Sequence, residues 1–457
     1  MDFAFGPGDE HFRDEARAWL DTHLTGRFTE SANAAADAAT QRAWERELGA
    51  GGWIGLGWDR THETNGPHKA HETNGTHRTH GTHKTHGTYG NRAATLTQQV
   101  VWAEEYARAG APARLGHIGE NLLAPTLLAH GDAAQRARFL PPIARGEELW
   151  CQGYSEPDAG SDLAGLRTRA VRDPGDGTYR VTGQKIWTSH AREADWCFVL
   201  ARTEDGSQRH HGLSFLLVPM DQPGRIEVRP IRQLTGTAEF NEVFFDGALA
   251  HPDHLVGGPG RGWSVAMSLL AVERGVSTLV QQIGFAQELD RVIRQALETG
   301  AAREPVLRDQ LIQQWAELKV MRWNALRTLG AARNPASGGP TPTPSPPSPP
   351  TSSTSAPPPA PHRPAPHRPA PQDDGVASVA KLLWGGWHRR LGELAVRVRG
   401  AAAVLGPVRW TEGRPYELDA AQRLFLFSRA DTIYGGSDEI QRNIIAERVL
   451  HLPREPR

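Results

Sequence analysis

Glu273 stands in this chain of 457 residues where an apolar residue is expected, and that position is the first sign of chemistry. Ala266, Leu269, Leu270, Glu273, Val276, Ser277, Val280 and Ile283 recur at the i, i+3, i+4, i+7 spacing of one helix face. A carboxyl on such a stripe loses hydration, which raises its pKa towards that of a general base. The other reading of Glu273-Arg274 is a buried pair that serves packing alone. A second group is 150–162, WCQGYSEPDAGSD. Pro157 fixes φ and Gly160 permits positive φ, so backbone N–H groups and the hydroxyls of Ser155 and Ser161 can converge on a ligand. A third is 181–191, VTGQKIWTSHA, where Lys185, Ile186 and Trp187 run into the hydroxyls of Thr188 and Ser189. Taken alone, the first reads equally well as an ordinary turn and the second as an ordinary strand, with no ligand to hold.

These groups need elements to position them. Helical spacing is expected over 9–24, 41–49 and several stretches of 94–145, where Pro125 sits early enough in its segment to be tolerated. From 150 to about 256 the pattern changes to alternating, β-branched runs broken by DPGDG and EDGSQ, which argues for a compact antiparallel β-domain. Long helices are expected over 263–299 and 304–329, and the helical pattern resumes over 378–399 and 420–450. The fold class is therefore α+β. Its expected domains are an N-terminal helical domain (1–149), a middle antiparallel β-domain (150–257) and a C-terminal four-helix bundle (258–457).

Two tracts interrupt this plan. Residues 59–91 contain HETNG twice and then His77, His80, His83 and His86 in period three. With no apolar face to bury, they read as a disordered repeat expansion, and a Zn²⁺- or Ni²⁺-capturing tract is the alternative. Residues 335–371 are proline-rich and read as a solvated spacer. The 51 basic and 52 acidic residues nearly cancel, so bulk charge points to neither nucleic acid nor an anionic membrane. The N-terminus lacks a basic region followed by an apolar run, and no stretch reaches a membrane-spanning length. Two cysteines imply no disulfide framework, and a cytoplasmic protein without a resident metal is expected.

The SEPDAGSD and GQKIWTS segments, in this order and at this spacing, resemble the flavin-binding segments of the acyl-CoA dehydrogenase family, and the element order resembles its fold outside the two tracts. The resemblance implies FAD held between the β-domain and the bundle. Gln152, Tyr154 and Ser155 would face the flavin pyrimidine and N5 edge, with Gly160 and Ser161 near the diphosphates and Trp187 and Ser189 beside the isoalloxazine. It also places Arg397, Gly400, Ser437 and Glu439 on the cofactor, and Ser161, Arg274 and Tyr434 on the acyl-CoA. The implied reaction is α,β-dehydrogenation of the thioester to a trans-2-enoyl-CoA, with electrons passed to an electron-transfer flavoprotein or similar acceptor.

Departures from the family pattern matter as much. The common Tyr-Glu-Gly-Thr base segment reads Tyr434-Gly435-Gly436-Ser437 here, so glycine stands where the base is expected. A minority of the family places the base in a Glu-Arg pair on the first bundle helix, which implies Glu273. Gly435 keeps a backbone N–H that could polarise the thioester carbonyl. The Arg-x-x-Phe-Gly that reaches a neighbour's FAD is absent from 294–308, and the glycine run after the third bundle helix is reduced to Gly400-Ala401-Ala402-Ala403. A dimer or tetramer is expected, and these losses suggest a mixed one, as in actinobacterial members acting on steroid side-chain thioesters. A non-catalytic subunit, a flavin oxidase on the same scaffold, and a scaffold protein acting through its inserts stay open.

Overall fold

The structure, a computed structural model, describes residues 5–29, 37–58, 87–333, 374–406 and 418–453, without the side chains of 273–279, 328–333 and 374. The proline-rich tract and the histidine-rich tract up to residue 86 lie outside the described residues. Residues 87–91, expected to be disordered, are part of the fold. Asn91 is fully buried and its Nδ2–H donates to the Gly55 carbonyl at 2.8 Å, which ties this end of the tract to the body.

α1 (Pro7–His23) opens on a proline and buries Phe12, Ala16 and Leu20 at four-residue spacing. α2 (Ala38–Ala50) is capped by Asp37, and α3 (Leu96–Arg108) by a Thr95–Gln98 capping box. Together they enclose a tryptophan core in which Trp53 and Trp102 stack at 4.2 Å. Beside it, Glu105 is 2% exposed and accepts from Arg13, Arg17 and Arg108. Burial pushes its carboxyl up, but the three guanidiniums outweigh this and hold it down at about 2. The stabilisation from Glu105 is thus complete above its ordinary value of 4.5 and is lost as pH falls from there through about 2. Tryptophan fluorescence followed down this range should show a transition that Glu105→Gln removes, and superimposable acid curves would refute the assignment.

α4 (Ala124–His130), with Pro125 in its first turn, and α5 (Ala133–Ala144) lead into the sheet. Its strands are β1 (Trp150–Gly153), β2 (Arg169–Arg172), β3 (Tyr179–Ser189), β4 (Trp196–Arg202), β5 (Leu213–Pro219), β6 (Ile226–Ile231), β7 (Phe240–Ala250) and β8 (Leu255–Val256), in the order β6-β7-β3-β2-β4-β5-β8. The sheet is mixed, not wholly antiparallel. β1 runs parallel to β4 from Trp150↔Trp196 to Gly153↔Val199, and β2 meets β4 through the parallel pair Arg169↔Arg202. Neither pair is joined by a tight turn, because the chain leaves β1 through a long loop and the β2–β3 hairpin before reaching β4. β4 and β5 are buried on both faces. Phe198, Leu200, Phe215 and Leu217 meet the helices, while Cys197, Val199, Leu216 and Val218 face Val181 and Val243.

α6 (Gly262–Glu298) begins against β5, where a Cβ on Gly262 would lie 2.5 Å from the Ser214 backbone, so only glycine permits this approach. Val265, Ala266 and Leu269 join Phe198 and Phe215 in one core. α6 therefore lies on the sheet at the turns leading to Glu273, which stands four residues after the fully buried Leu269. Further along, Val280 is 37% exposed while Ile283 is buried against Val100 and Ala325, so the apolar stripe read from the sequence is interrupted at Val280. α7 (Pro305–Arg333) and α8 (Asp374–Arg399) pack on α6 around Phe285, Leu289, Leu318, Trp387 and Leu391. The expected helix over 420–450 is instead broken into α9 (Ala420–Phe427), a single turn at Ala430–Thr432 and α10 (Asp438–Ile444). Gly435 and Gly436, at φ +65° and +86°, form the turn between the last two of these.

Candidate active site

After an earlier shift between Val181 and Gly183, β3 and β7 pair through Lys185↔Val243 and resume at Thr188↔Asn241, so β3 carries one extra residue between these last two points. This bulge turns Ile186 and Trp187 out of the ladder. The Ile186 N–H donates to the Ser155 carbonyl at 2.9 Å, which fastens the bulge to the turn after β1. Trp187 takes φ +61° and His190 φ +55°, a left-handed conformation that costs a residue with a Cβ roughly 1–3 kcal/mol. The geometry is held from outside: Asn241 Nδ2–H donates to the Thr188 carbonyl at 3.0 Å, and the His190 N–H to Glu239 at 2.9 Å. As a result Trp187 lies edge-on to Phe240 and is 56% exposed. Beside it the buried Thr188 hydroxyl has no partner among the described residues.

The turn rests on a buried ion pair. Lys185 Nζ donates to Glu156 Oε1 at 2.8 Å and to the carbonyls of Tyr154 and Leu200 at 3.0 and 2.9 Å, using the three donors of an ammonium. Glu156 also accepts from the N–H groups of Arg167 and Thr168. Burial pushes the Glu156 carboxyl up, but Lys185 and these donors more than offset it and leave it below the usual carboxylate range. Neither residue was among the expected site residues, although both stand inside the two motifs. Glu156 and Ala159 also close the turn with reciprocal backbone bonds. Gly160 does not take positive φ; it and Ser161 are exposed, and a Cβ on Gly160 would meet nothing within 4 Å. The Tyr154 ring is committed to the core beside Phe198 and Phe215, so its carbonyl is what it contributes to the turn.

A second cluster forms on the helices. The Tyr434 hydroxyl donates to Asp431 Oδ1 at 2.7 Å, Gln441 Nε2–H closes the glycine turn on the Gly435 carbonyl at 2.9 Å, and Ser437 caps α10. The Gly435 N–H meets no acceptor among the described residues. Glu439 is largely exposed. A cavity of about 320 Å³ lies between the β6–β7 loop and the helices, lined by Thr235, Thr237 and Glu239 of the former and by Glu288, His388 and Leu424 of the latter. The same Glu239 braces the bulge through its carbonyl. Arg397 and Gly400 are not brought to this place. They line a separate cavity of about 740 Å³ with Glu304, Leu307, Gln422 and Phe425, and Arg397 donates to Gln310. Glu273 and Arg274 lie within α6, and their side chains are outside the described residues.

His117, likewise unforeseen, packs edge-on to His190 at 5.8 Å, and its Nδ1–H donates to the Arg114 carbonyl at 3.0 Å. Burial first, and then His190, hold it down at about 4, so it is neutral at physiological pH. Among the described residues no group of side chains is arranged to hold a metal ion, and no helix is long and apolar enough to cross a membrane.

A mixed sheet flanked by helices, a strained tryptophan bulge clipped to a Ser-Glu-Pro turn, and a glycine turn on the bundle define a flavoprotein dehydrogenase fold. The comparisons agree: residues 80–147, 151–248 and 260–343 with 365–450 match the N-terminal, middle and C-terminal domains of acyl-CoA dehydrogenases. The chain belongs to the acyl-CoA dehydrogenase family and is an oxidoreductase of lipid metabolism. It is 46% identical over 452 residues to acyl-CoA dehydrogenase IpdE1 of Mycobacterium tuberculosis, covering 98% of each chain. The IpdE1 of Mycolicibacterium smegmatis is 44% identical, again over 98% of each. Among solved structures, the Tcur3481-Tcur3483 steroid ACAD superposes with a TM-score of 0.74 at 24% identity over the whole of both chains. The ChsE4-ChsE5 complex of Mycobacterium tuberculosis does so at 0.70 and 26%, also over the whole of both chains.

Proposed function

We propose that this chain is an FAD-dependent acyl-CoA dehydrogenase that takes the α-proton of its thioester with Glu273. The carrying observation is the β3 bulge, which holds an exposed aromatic in a strained conformation and clips it to the Ser155 turn. Strain of this kind persists where the surroundings enforce it, and a flat heteroaromatic ring fits what it presents. Trp187 offers a face, the Thr188 hydroxyl has no partner among the described residues, and the backbone of Gln152 to Ser155 offers polar edges. When bound, FAD would supply the acceptor for the hydride leaving the β-carbon. The chain's own residues do the rest. The Glu273 carboxylate removes the α-proton, and the Gly435 N–H, which meets no acceptor among the described residues, donates to the thioester oxygen as charge builds on it. Ser161, Arg274 and Tyr434 hold the acyl-CoA; Gly160, Ser161, Ser189, Ser437 and Glu439 hold the cofactor.

The surface around Arg397 and Gly400 faces a partner chain in this reading, and the assembly is mixed. The loss of the Arg-x-x-Phe-Gly element supports this, as do the two-component names of the similar solved structures, one of them a steroid enzyme. A steroid-type thioester is accordingly the first substrate to try. Purified alone, the chain should carry less than one flavin per protomer, and co-expression with its partner should fill the site. One tightly held flavin per chain in a homo-oligomer would overturn the mixed assembly. Straight-chain, branched and steroid CoA thioesters should be tested with an electron-transfer flavoprotein or dye and, separately, with O₂. Turnover with O₂ alone would make the protein an oxidase. No flavin reduction by any thioester, with or without a partner, would leave a non-catalytic subunit.

A further inference from the structure

His388 of α8 is 5% exposed and lies between two carboxylates from different elements. Its Nε2 meets Glu288 Oε2 of α6 at 2.7 Å, and its Nδ1 meets Asp431 Oδ2 in the turn before α10. Both ring nitrogens face acceptors, so both must donate, which only the imidazolium can do. The second oxygen of Asp431 accepts from the Tyr434 hydroxyl, and the Asp431 carbonyl accepts from Lys381 Nζ. A continuous chain of charge-assisted hydrogen bonds thus runs from α6 through His388 and Asp431 to the residue before Gly435. Phe285 stacks on the imidazole at 4.4 Å and closes its other face.

We propose that His388 is a positioning residue, whose imidazolium bolts the Tyr434-Gly435-Gly436 turn to α6 and so sets the Gly435 N–H against Glu273 on that same helix. The catalytic half of this rests on the reading of Glu273 and Gly435 given above, while the bolt itself rests on the geometry alone. Besides this bolt, Gln441 of α10 donates to the Gly435 carbonyl, and Lys381 and Trp384 of α8 lie against the Tyr434 ring. These contacts come from α10 and α8, whereas the bolt extends to α6.

Charge at the bolt supports the assignment. Burial lowers the affinity of His388 for its proton, but the hydrogen bonds to Asp431 and Glu288 outweigh this and raise its pKa to about 9. The other groups facing it are Lys381 and Trp384 on its own helix, Arg291 on α6 (4.0 Å from Glu288), Arg423 on α9 and Glu239 of the β6–β7 loop. The folded value lies above the ordinary 6.5, so the bolt is complete below 6.5 and is lost as pH rises through about 9.

Hydrogen exchange on the full chain, with its partner where one is required, reads the bolt directly. The Ile433 and Tyr434 amides both donate to the Ala430 carbonyl and report the turn. His388→Gln can donate to only one of the two carboxylates. It should lower the protection of these amides about ten-fold and lower kcat more than it raises KM. In the wild type the same protection factors should fall as pH rises through about 9 and should show no such step in the variant. Tyr434→Phe removes one partly exposed hydroxyl and should loosen the same amides while sparing α8, which decides the matter if His388→Gln does not fold. Wild-type protection in both variants, or a pH step that survives in His388→Gln, would overturn the bolt. Absence of dehydrogenation in the wild type would instead remove the proposed function, and the exchange data would still judge the bolt.

Discussion

Glu273→Gln is expected to lower turnover by about 10²–10⁴-fold, the usual contribution of a positioned general base. Gln matches Glu in size and helix propensity, so α6 should keep its packing through Ala266 and Leu269, both fully buried. Flavin content and substrate affinity should change little, because the carbonyl contact proposed here comes from the Gly435 backbone. The acid limb of the pH–rate profile should disappear with the carboxyl. Gly435→Glu is the informative companion. It sets a carboxylate at the commoner family position, but it must do so at φ +65°, where a side chain is strained. Partial recovery in the double variant would show that the thioester lies between the two positions. Retention of most activity in Glu273→Gln with a good substrate would mean that the base has been misassigned.

Which parts of this molecule could be read from sequence follows from the range over which each is determined. Helix faces depend on neighbours three and four residues away, so α1, α6 and α8 are legible from their spacing. The 150–162 and 181–191 motifs were legible as separate segments, and the bond from Ile186 to Ser155 now joins them. The bulge at Trp187 was not legible, because a register shift is a property of β3 and β7 together and leaves no mark in either strand alone. Gly160 misled for a related reason: its type permits positive φ, but the Glu156–Ala159 bridge had already closed the turn before it. The parallel pairing of β1 with β4 depends on the path of the intervening chain. Gly435-Gly436 was in view, yet read as a change of catalytic residue, when it also forms the left-handed turn before α10. The partners of His388 come from α6 and from the 431 turn, far apart in sequence, and no local pattern announces them.

Lys185→Met should be the most damaging single change outside the reacting groups, lowering stability by roughly 3–5 kcal/mol, the cost of leaving one partner of a buried pair alone. Met fills most of the space of the lysine stem but abandons three acceptors at once: Glu156 Oε1 and the carbonyls of Tyr154 and Leu200. These lie on the turn after β1 and on β4, so the damage should reach the place where the Ser155 turn meets the bulge. Flavin retention should fall along with the denaturation midpoint. Glu156→Gln should cost less than Lys185→Met, since an amide oxygen can still accept from Lys185. Its sensitivity to acid is also informative. Because the folded Glu156 carboxyl lies below its ordinary 4.5, its contribution is present above that value and is lost as pH falls through the depressed one. The Gln variant should lack that dependence. Combining the two substitutions should cost less than the sum of the singles, because the second removes a charge that the first has already orphaned. Urea titrations of all four proteins measure this coupling, and strict additivity would show that Lys185 and Glu156 stabilise the turn independently. A Lys185→Met protein that unfolds with the wild type yet still loses flavin would move the role of Lys185 from holding the turn together to shaping what the turn presents.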